Sequence, residues 1–454
     1  MNEFDDVVIG AGQAGPFLAA RLAGAGRRVA LVEKRRLGGT CVNDGCIPTK
    51  TLVASARAAW VVRNAARSGV VTSGDVRVDL AKVKARKDAV VQESRDSLQS
   101  WLGALENLTL IDGHARFVSP TEIIVAERKL TAKRFFINTG ARAIVPPIPG
   151  LRELALTNTE MMELSALPEH LIIVGGGVVA LEFAQMYRRF GSRVTVLERA
   201  RRLLPREDAD VADVISTVLR REGVEIHFGV ELVSATKTAG GARVELGAGA
   251  SIVGSHVLVA VGRAPNSDDL GLSAANVTVD AKGYVTVDDE LRTNVPHIYA
   301  LGDVNGRGAF THTSYNDFEI VAANLLDGAS RSIRERIFIA CTYVDPPLGR
   351  VGMSEAEARA SGRRVLKGTR SMTRVGRAHE RGETDGFMKI LVDADSKQIL
   401  GAAILGIEGD EAIHAIAAMM TARAPYTVLQ QAVFAHPTVS ELIPTVLGGL
   451  EPLA

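Results

Sequence analysis

Cysteine is scarce in this sequence, with only three residues in 454. A chain that depends on disulfides for its fold carries far more, so the count excludes a disulfide scaffold. Cys41 and Cys46 lie close together, whereas Cys341 is remote and is expected to be a small buried hydrophobe. In a protein without an export signal, a close pair favours catalysis or metal binding over a structural disulfide.

Long apolar runs are also missing. The longest candidate, Leu171 to Leu181, is broken by three glycines and falls short of the ~18–20 residues that span a bilayer. The formal net charge is only +1, which gives no electrostatic attraction to nucleic acid or to an anionic membrane. The opening MNEFDD lacks the basic region and cleavage site of a secretory signal. We therefore expect a globular cytoplasmic enzyme without nucleic acid or membrane partners.

Glycine, in contrast, is abundant at 44 residues, and much of it is clustered. Two segments, starting near Asp5 and Glu169, share the order apolar strand, glycine turn, helical stretch and second strand ending in Glu. Gly10 to Glu33 and Gly175 to Glu198 have the same length. This repetition predicts a duplicated β-α-β unit.

The chemistry of such a unit explains its residue types. Glycines at Gly10, Gly12 and Gly15 allow the backbone to approach a pyrophosphate, and the following helix offers free N–H groups to it. The Glu33 carboxylate can accept hydrogen bonds from ribose hydroxyls. A tight turn without a ligand is the alternative. The second copy carries Gly175, Gly177 and Ala180.

Other segments complete the outline. The stretches FFINTGARA and VLVAVGRAPN predict strands that end at Gly140 and Gly262 and close the two sheets. VPPIPG, at 145–150, is typical of a linker. Residues 42–67 and 81–106 are predicted to be mostly helical insertions in the first domain. From about Arg331, strands such as GFMKILVDA and helices near 409–423 and 425–432 predict a separate α+β domain.

The segment GGTCVNDGCIPTK contains the cysteine pair. The turn chemistry between Cys41 and Cys46 would let them join, and a helix beginning near Ile47 would favour a thiolate at its N-terminus. No further Cys or His cluster has zinc spacing, so a metal site is not favoured, although a structural disulfide is another alternative. Asp44 either raises the thiol pKa and repels anions or is a solvated turn residue.

Near the C-terminus, His436 is followed by Pro437 and, five positions after the His, by Glu441. A histidine held by a carboxylate is a competent acid/base near neutral pH. A buried structural histidine is the alternative when this motif is taken alone.

Together these residues resemble the flavin-dependent pyridine nucleotide–disulfide oxidoreductases, which include dihydrolipoamide dehydrogenase, glutathione reductase and mercuric reductase. Motifs along essentially the whole chain follow the family order, among them NTGARA, VGRAPN, YALGDV and HPTVSE. The resemblance implies an α/β fold with two Rossmann-like dinucleotide-binding domains and a C-terminal α+β dimerisation domain. The implied parts are 1–150 (FAD-binding, with the cysteine pair), 151–265 (NAD(P)-binding), 266–335 (second FAD/central part) and 336–454 (dimerisation, with the catalytic His).

The resemblance also implies FAD and NADH or NADPH as cofactors and assigns the site residues. The implied cofactor-binding residues are Gly10, Gly12, Gly15, Glu33, Gly39, Thr40, Lys50, Gly113, Gly140, Gly175, Gly177, Glu198, Val230, Gly262 and Asp303. The implied catalytic residues are Cys41, Cys46, Lys50, Glu182, His436 and Glu441, with Lys50 paired to Glu182.

The implied mechanism passes hydride from the nicotinamide to the flavin, which then reduces the cysteine pair. Cys46 is the flavin-proximal, charge-transfer thiol, and Cys41 is the outer thiol that attacks the acceptor. In a homodimer, the partner subunit's His436 keeps Cys41 reactive and protonates the leaving group.

The sequence leaves open which substrate accepts the electrons from the cysteine pair. GGGVVALEFAQ looks most like mercuric reductase, and LLPREDADVAD resembles bacterial reactive-chlorine-resistance flavoreductases. The sequence ends GGLEPLA, without the C-terminal cysteine pair of mercuric reductases, and lacks their N-terminal metal-binding domain. We expect a small disulfide-like or electrophilic acceptor, such as hypothiocyanous acid, and no resident metal. Mercuric or other metal-ion reductase, dihydrolipoamide dehydrogenase and a non-turnover flavin redox sensor are the alternatives.

The choice of nicotinamide is open as well. Glu198 favours the free 2′-hydroxyl of NADH, whereas Arg199, Arg201 and Arg202 could hold the 2′-phosphate of NADPH.

Overall fold

The computed structural model describes residues 2–453, which form two compact units. The first unit comprises Met1–Thr51, Lys84–Ile144 and Gly262–Arg336. The second comprises Leu52–Val83, Val145–Val261 and Ile337–Ala454. The four-part domain division inferred from the sequence stays a prediction.

The strands are β1 Glu3–Ile9, β2 Val29–Glu33, β3 Leu108–Asp112, β4 Ala115–Ser119, β5 Glu122–Val125, β6 Arg128–Ile137, β7 Ala141–Ala143, β8 Ala155–Leu156, β9 His170–Val174, β10 Arg193–Glu198, β11 Glu225–Phe228, β12 Leu232–Thr238, β13 Gly241–Leu246, β14 Ser251–Gly254, β15 His256–Val259, β16 Arg263–Pro265, β17 Ile298–Ala300, β18 Ile339–Thr342, β19 Leu348–Gly352, β20 Val365–Ser371, β21 Phe387–Asp393, β22 Ile399–Leu405 and β23 Glu451–Pro452. The α-helices are α1 Gly15–Gly24, α2 Gly39–Asn43, α3 Cys46–Arg63, α4 Leu80–Gly103, α5 Asn158–Met161, α6 Val178–Phe190, α7 Ala209–Arg221, α8 Thr311–Leu326, α9 Glu355–Ala360, α10 Gly376–Arg381, α11 Gly409–Thr421, α12 Tyr426–Gln430 and α13 Ile443–Leu447.

The first unit is built on one twisted sheet in the order β3-β2-β1-β6-β5-β4, with β17 also paired to β6. Strands β3, β2, β1, β6 and β17 are parallel. Both faces of β1 are covered, because Val7 and Ile9 pack in one core and Val8 packs in the other with α1 and α8. This explains why the end of β1, from Val7 to Ile9, is a continuous apolar run and not an alternating one.

The second unit contains a parallel sheet in the order β11-β10-β9-β15-β8. Strand β9 is buried along its whole length, and α6 follows the glycine turn after it. A three-stranded antiparallel sheet, β12-β13-β14, adjoins it. The six-stranded antiparallel sheet of the C-terminal region has the order β18-β19-β22-β21-β20-β23, and α11 packs on β19 and β22.

A buried ion cluster joins strand β21 to the first turn of α7 and to the start of α9. Lys389, on β21, is 2% exposed, and its Nζ lies 2.8–2.9 Å from carboxylate oxygens of Asp208, Asp210 and Glu355. Burial alone would lower the pKa of Lys389, but its hydrogen bonds to the three carboxylates outweigh that effect and raise it. Lys389 in turn holds the pKa of Asp208 and Glu355 below the usual range, against burial.

The secondary structure confirms both β-α-β units, the strands before Gly140 and Gly262 and the predicted C-terminal strands and helices. The mostly helical stretches are also present as α3 and α4, although residues 52–83 belong to the second unit. The α/β fold class is confirmed. Between residues 2 and 453, no helix combines the length and hydropathy that a bilayer crossing requires.

Candidate active site

The glycine turn after β1 lies against the end of β6. Gly10 has a φ of +101°, which L side chains rarely adopt, and a Cβ there would collide with the carbonyl oxygen of Asn138. Asn138 is 5% exposed. Its Oδ1 accepts a hydrogen bond from the Gly15 N–H, and its Nδ2 donates to the Leu301 carbonyl, both at 2.9 Å. Asn138 therefore fixes the turn to two other parts of the unit.

Glu33 closes the same turn from the end of β2. Its Oε2 accepts from the Ala11 N–H and its Oε1 accepts from the Arg35 N–H, each at 2.8 Å. Each carboxylate oxygen has a further lone pair, so these bonds leave acceptor capacity for a ribose hydroxyl. The ribose contact itself stays a prediction.

A groove lies at the carboxyl edge of the first sheet, which is where open parallel sheets bind their ligands. It encloses about 830 Å³ of empty space, part of it open to solvent. Seven of the predicted cofactor residues line it, namely Gly10, Gly12, Glu33, Gly39, Thr40, Gly113 and Gly140. A glycine-lined groove of this kind fits an extended dinucleotide such as FAD.

Asp303 and Arg263 supply a second observation that fits a polar ligand. Burial raises the pKa of Asp303, and the nearby Arg263 opposes that rise, with its Nε 3.8 Å from an Asp303 carboxylate oxygen. Within the described part of the chain, this buried Nε has no hydrogen-bond partner. A ligand with both hydroxyl and phosphate groups, as FAD has, could satisfy such a site.

The two cysteines lie in two consecutive helices that follow β2 along the chain. Cys41 lies in α2, and Cys46 begins α3. The Sγ of Cys46 lies 3.1 Å from the Oγ1 of Thr311, the first residue of α8. Two helix N-termini therefore meet at Cys46, and both favour a thiolate there.

The environment of Cys41 is different. A hydrogen bond with Cys46, followed by burial, raises the pKa of the Cys41 thiol far above its ordinary value. Thr311 and Lys50 act in the opposite direction but do not reverse the effect. In the reduced pair, Cys46 and burial therefore both favour the protonated thiol of Cys41.

Asp44, between the two cysteines, is not a solvated turn residue. It is 9% exposed, and its carboxylate lies 3.6 Å from Nη1 of Arg35. The interpretation as a solvated residue is wrong because tertiary packing covers the turn. Arg35 balances the charge of Asp44, which weakens any repulsion of anions.

The second β-α-β unit repeats the local geometry of the first. Gly175 donates its N–H to the Leu197 carbonyl, and Gly177 precedes α6. The Oε1 of Glu198 accepts from the Ala200 N–H at 2.6 Å, two residues along the chain, as Glu33 does with Arg35.

For Val230 and Gly262, the other two residues predicted to bind the nicotinamide cofactor, the structure shows only backbone features. The Val230 N–H donates to the Glu198 carbonyl at 3.3 Å. Gly262 has a φ of +140° and belongs to the first unit by residue range. Their nucleotide contacts stay predictions.

Glu182 is 3% exposed on α6 and accepts from the Tyr343 N–H at 3.0 Å. Lys50 lies on α3, in the first unit. The pairing of Lys50 with Glu182 stays a prediction.

His436 and Glu441 form a close pair in the second unit. The Nδ1 of His436 lies 2.9 Å from Oε2 of Glu441, and the His side chain is 79% exposed. The alternative of a buried structural histidine is therefore wrong. With Nδ1 facing the carboxylate, Nε2 is left for proton transfer.

A metal centre finds no support in residues 2–453, where no group of three or more His, Cys, Asp or Glu side chains could hold an ion. Sequence reasoning missed three polar residues that shape the site: Asn138, Arg263 and Thr311. Asn138 carried a weak signal as an amide at the end of a buried apolar strand, inside a motif already selected for Gly140.

Two dinucleotide-type β-α-β units, a glycine-lined groove and a cysteine pair at helix N-termini define a class, the flavoproteins that exchange electrons between a nicotinamide and a dithiol. The chain matches the family described as pyridine nucleotide-disulphide oxidoreductase over residues 4–317 and the dimerisation domain of that family over residues 339–447. It belongs to this family. The predicted fold class, the enzyme class and the cofactors FAD and NAD(P)H are confirmed.

Several known proteins are similar along nearly the whole chain. The probable pyridine nucleotide-disulfide oxidoreductase RclA of Escherichia coli (strain K12) is 37% identical, covering 97% of this chain and 98% of that protein. A dihydrolipoyl dehydrogenase of Bacillus subtilis (strain 168) is 34% identical over 96% of both chains. The solved Cu(II) complex of the HOCl-induced flavoprotein disulfide reductase RclA from Escherichia coli aligns with a TM-score of 0.91, at 36% identity over 99% of both chains. A mercuric reductase of Bacillus cereus is 31% identical over 91% of this chain and 66% of that protein.

Proposed function

We propose that this protein is a cytoplasmic, homodimeric NAD(P)H-dependent reductase of a small electrophilic or disulfide-like acceptor such as hypothiocyanous acid. Cys41 is the attacking thiol and Cys46 is the resolving, flavin-proximal thiol. The observation that carries the proposal is the unequal environment of the two sulfurs: Cys46 is exposed at two helix N-termini beside Thr311, whereas Cys41 is half-buried and its pKa is raised by Cys46 and by burial.

Bound FAD would supply the relay of two electrons from the nicotinamide to the cysteine disulfide. The residues of this chain would bind the cofactor and place the reactive sulfur next to it. Gly10, Gly12 and Glu33 would hold the pyrophosphate and ribose, and Asp303 with Arg263 would hold polar groups nearer the flavin. Cys46, at the N-terminus of α3 and beside Thr311, suits the position next to an electron donor.

The acceptor step balances with the two thiols alone. The Cys41 thiolate attacks the sulfur of hypothiocyanous acid, an S–S bond to Cys41 forms, and hydroxide leaves. The Cys46 thiolate then attacks the Cys41 sulfur, thiocyanate leaves, and the Cys41–Cys46 disulfide is restored. The acceptor gains two electrons, and the dithiol is oxidised by the same two.

Cys41 needs a base because its pKa is raised in the reduced pair. We assign this role to the partner subunit's His436, oriented by Glu441. The same imidazolium would then protonate the leaving hydroxide or thiolate. The matched dimerisation domain over residues 339–447 contains both residues and supports the homodimer.

The similarity to an HOCl-induced flavoprotein disulfide reductase supports an electrophilic acceptor. Dihydrolipoamide is a second candidate substrate, since the His436–Glu441 bond is suited to thiol–disulfide exchange and dihydrolipoyl dehydrogenases are similar over nearly the full length. For the nicotinamide, Glu198 favours NADH, and a strong preference for NADPH would contradict that assignment.

A substrate panel tests the proposal. Hypothiocyanous acid, lipoamide, glutathione disulfide, Hg(II) and Cu(II) are compared by kcat/KM with NADH and with NADPH. We expect hypothiocyanous acid to give the highest value. A preference for lipoamide would support the second candidate, and a preference for Hg(II) would refute both.

Two cysteine variants test the assignment of the thiols. Cys46→Ser should abolish the long-wavelength absorbance of the two-electron-reduced protein, whereas Cys41→Ser should keep it. Both variants should lose acceptor reduction. The opposite spectral pattern would reverse the roles of the two sulfurs.

A further inference from the structure

An exposed aromatic patch lies on the first unit, and no step of the proposed chemistry uses it. It consists of Phe17 on α1, Trp101 on α4, and Tyr315 and Phe318 on α8. The ring centroid of Phe17 lies 4.9 Å from that of Tyr315 and 5.3 Å from that of Trp101. Trp101 and Tyr315 are each 38% exposed. A contiguous, partly exposed cluster of this kind is typical of an interaction surface.

The aromatic patch extends from the cysteine pair. Thr311, Tyr315 and Phe318 are spaced four and three residues apart on α8, so they lie on one face of that helix. At a rise of about 1.5 Å per residue, Tyr315 and Phe318 lie ~6 and ~10 Å along the helix axis from Thr311. Thr311 itself contacts the Sγ of Cys46.

The second unit carries an apolar side chain that is also uncovered. Val433 is 99% exposed and precedes His436 by three residues, in a segment without helix or strand. Phe434, the next residue, packs against the C-terminal core and so anchors the segment. An almost fully exposed valine on an anchored segment indicates a contact with another molecule.

The aromatic patch and Val433 match in two ways: both are apolar, and both lie at a similar distance from the groups that act at the site. Three extended residues reach at most ~10–11 Å, which is the distance scale of the aromatic patch from Thr311. We propose that the partner subunit's Val433 packs on the aromatic patch of this chain, and that this contact positions the partner subunit's His436 at Cys41. The inference rests on the proposed homodimeric reductase.

A second copy is the occupant that the observations favour. Val433 lies within the matched dimerisation domain, so its contact continues the interface that this domain provides. Under a two-fold axis the contact forms twice, once at each active site, because each copy carries both the aromatic patch and Val433. Val433 is then a positioning residue, acting on the chemistry through His436.

Photo-crosslinking tests the contact directly in the FAD-loaded protein. Val433 is replaced by a photo-reactive benzoylphenylalanine, and after irradiation the products are separated on a denaturing gel and mapped by mass spectrometry. We expect a band of twice the chain mass, with crosslinks to peptides that contain the aromatic patch. The matched control is the same replacement at Val233, which is 52% exposed and outside the dimerisation domain. A crosslink within one chain, a double-mass crosslink elsewhere, or no crosslink would overturn the proposal.

Fluorescence gives a second readout, because the chain has only two tryptophans. In a Trp60→Phe background, Val433→Asp should red-shift the emission of Trp101 and increase its quenching by acrylamide, whereas Val233→Asp should change neither. Unchanged Trp101 emission in Val433→Asp would overturn the proposal.

The proposed function is tested separately by His436→Ala. This variant should slow acceptor reduction while the crosslink and the protection of Trp101 persist. If His436→Ala left acceptor reduction unchanged, the proposed role of His436 would fail even with the crosslink in place. If the crosslink were absent while His436→Ala still slowed the reaction, the docking contact alone would fail.

Discussion

Replacing Thr311 with Val removes the hydroxyl that lies 3.1 Å from the Sγ of Cys46, at almost constant side-chain volume. The same hydroxyl lowers the pKa of Cys41, against the larger effects of Cys46 and burial that raise it. Without the hydroxyl, that pKa should rise further. A smaller fraction of Cys41 is then thiolate at any pH below its pKa.

The magnitude follows from the lost bond. A hydrogen bond to a charged group contributes about 1.5–3 kcal/mol, and the lower end applies because two sulfurs share this hydroxyl. About 1.4 kcal/mol corresponds to a tenfold change in an equilibrium constant. We therefore expect kcat/KM for the acceptor to fall about tenfold at neutral pH and its pH profile to move to higher pH.

The assay separates the two half-reactions. Reduction by NAD(P)H is followed anaerobically in a stopped-flow instrument, and oxidation by the acceptor is then measured from pH 6 to 9, a range chosen to bracket neutrality. Thr311→Val should slow the second half-reaction, and Thr311→Ser, which keeps a hydroxyl, should restore it. An unchanged pH profile in Thr311→Val would refute the reasoning, as would the same loss in Thr311→Ser.

Three further variants test other parts of the structure. Asn138→Ala leaves the Gly15 N–H and a buried carbonyl unsatisfied, so we expect the free energy of unfolding in denaturant to fall by about 2–4 kcal/mol and FAD retention on gel filtration to weaken. Glu441→Gln should slow acceptor turnover about tenfold, since a neutral amide loses the charge-assisted bond to His436, while reduction by NAD(P)H stays unchanged. Lys389→Met leaves three carboxylates without their buried cation, so the free energy of unfolding at pH 7 should fall by about 3–5 kcal/mol. That loss should shrink as the pH falls towards 4, because burial raises the pKa of Asp208 and Glu355 once Lys389 no longer lowers it, so these carboxylates become protonated in the variant; a pH-independent loss would contradict this assignment.

Local features of the site were predictable from the sequence. The turn at Gly10 and the strand ending in Glu33 are encoded within a few tens of residues, by glycine spacing and an apolar run. His436 and Glu441 were paired correctly for the same reason, since five positions separate them and they meet in the structure at 2.9 Å.

Contacts between distant segments escaped prediction. Asn138 bonds to Gly15 across 123 positions, and Cys46 contacts Thr311 across 265. No local pattern marks an asparagine or a threonine for such a role, because either residue satisfies its hydrogen bonds equally well in a turn or in water. For Asp44, a local pattern was present but gave the wrong answer. Its turn sequence indicated solvent exposure, whereas tertiary packing buries the side chain.

The reach of Asn138 has a consequence for biosynthesis. Its side chain joins the Gly15 turn to Leu301. The predicted flavin nucleotide site is therefore complete only after the ribosome has added 286 residues beyond that turn. At about 5–20 residues per second, this interval lasts roughly 15–60 s. The nascent chain therefore exposes its nucleotide turn before Asn138 can join that turn to Leu301, and cofactor capture has to wait until residue 301 of 454 has been added. A chain released before Leu301 should emerge without its flavin.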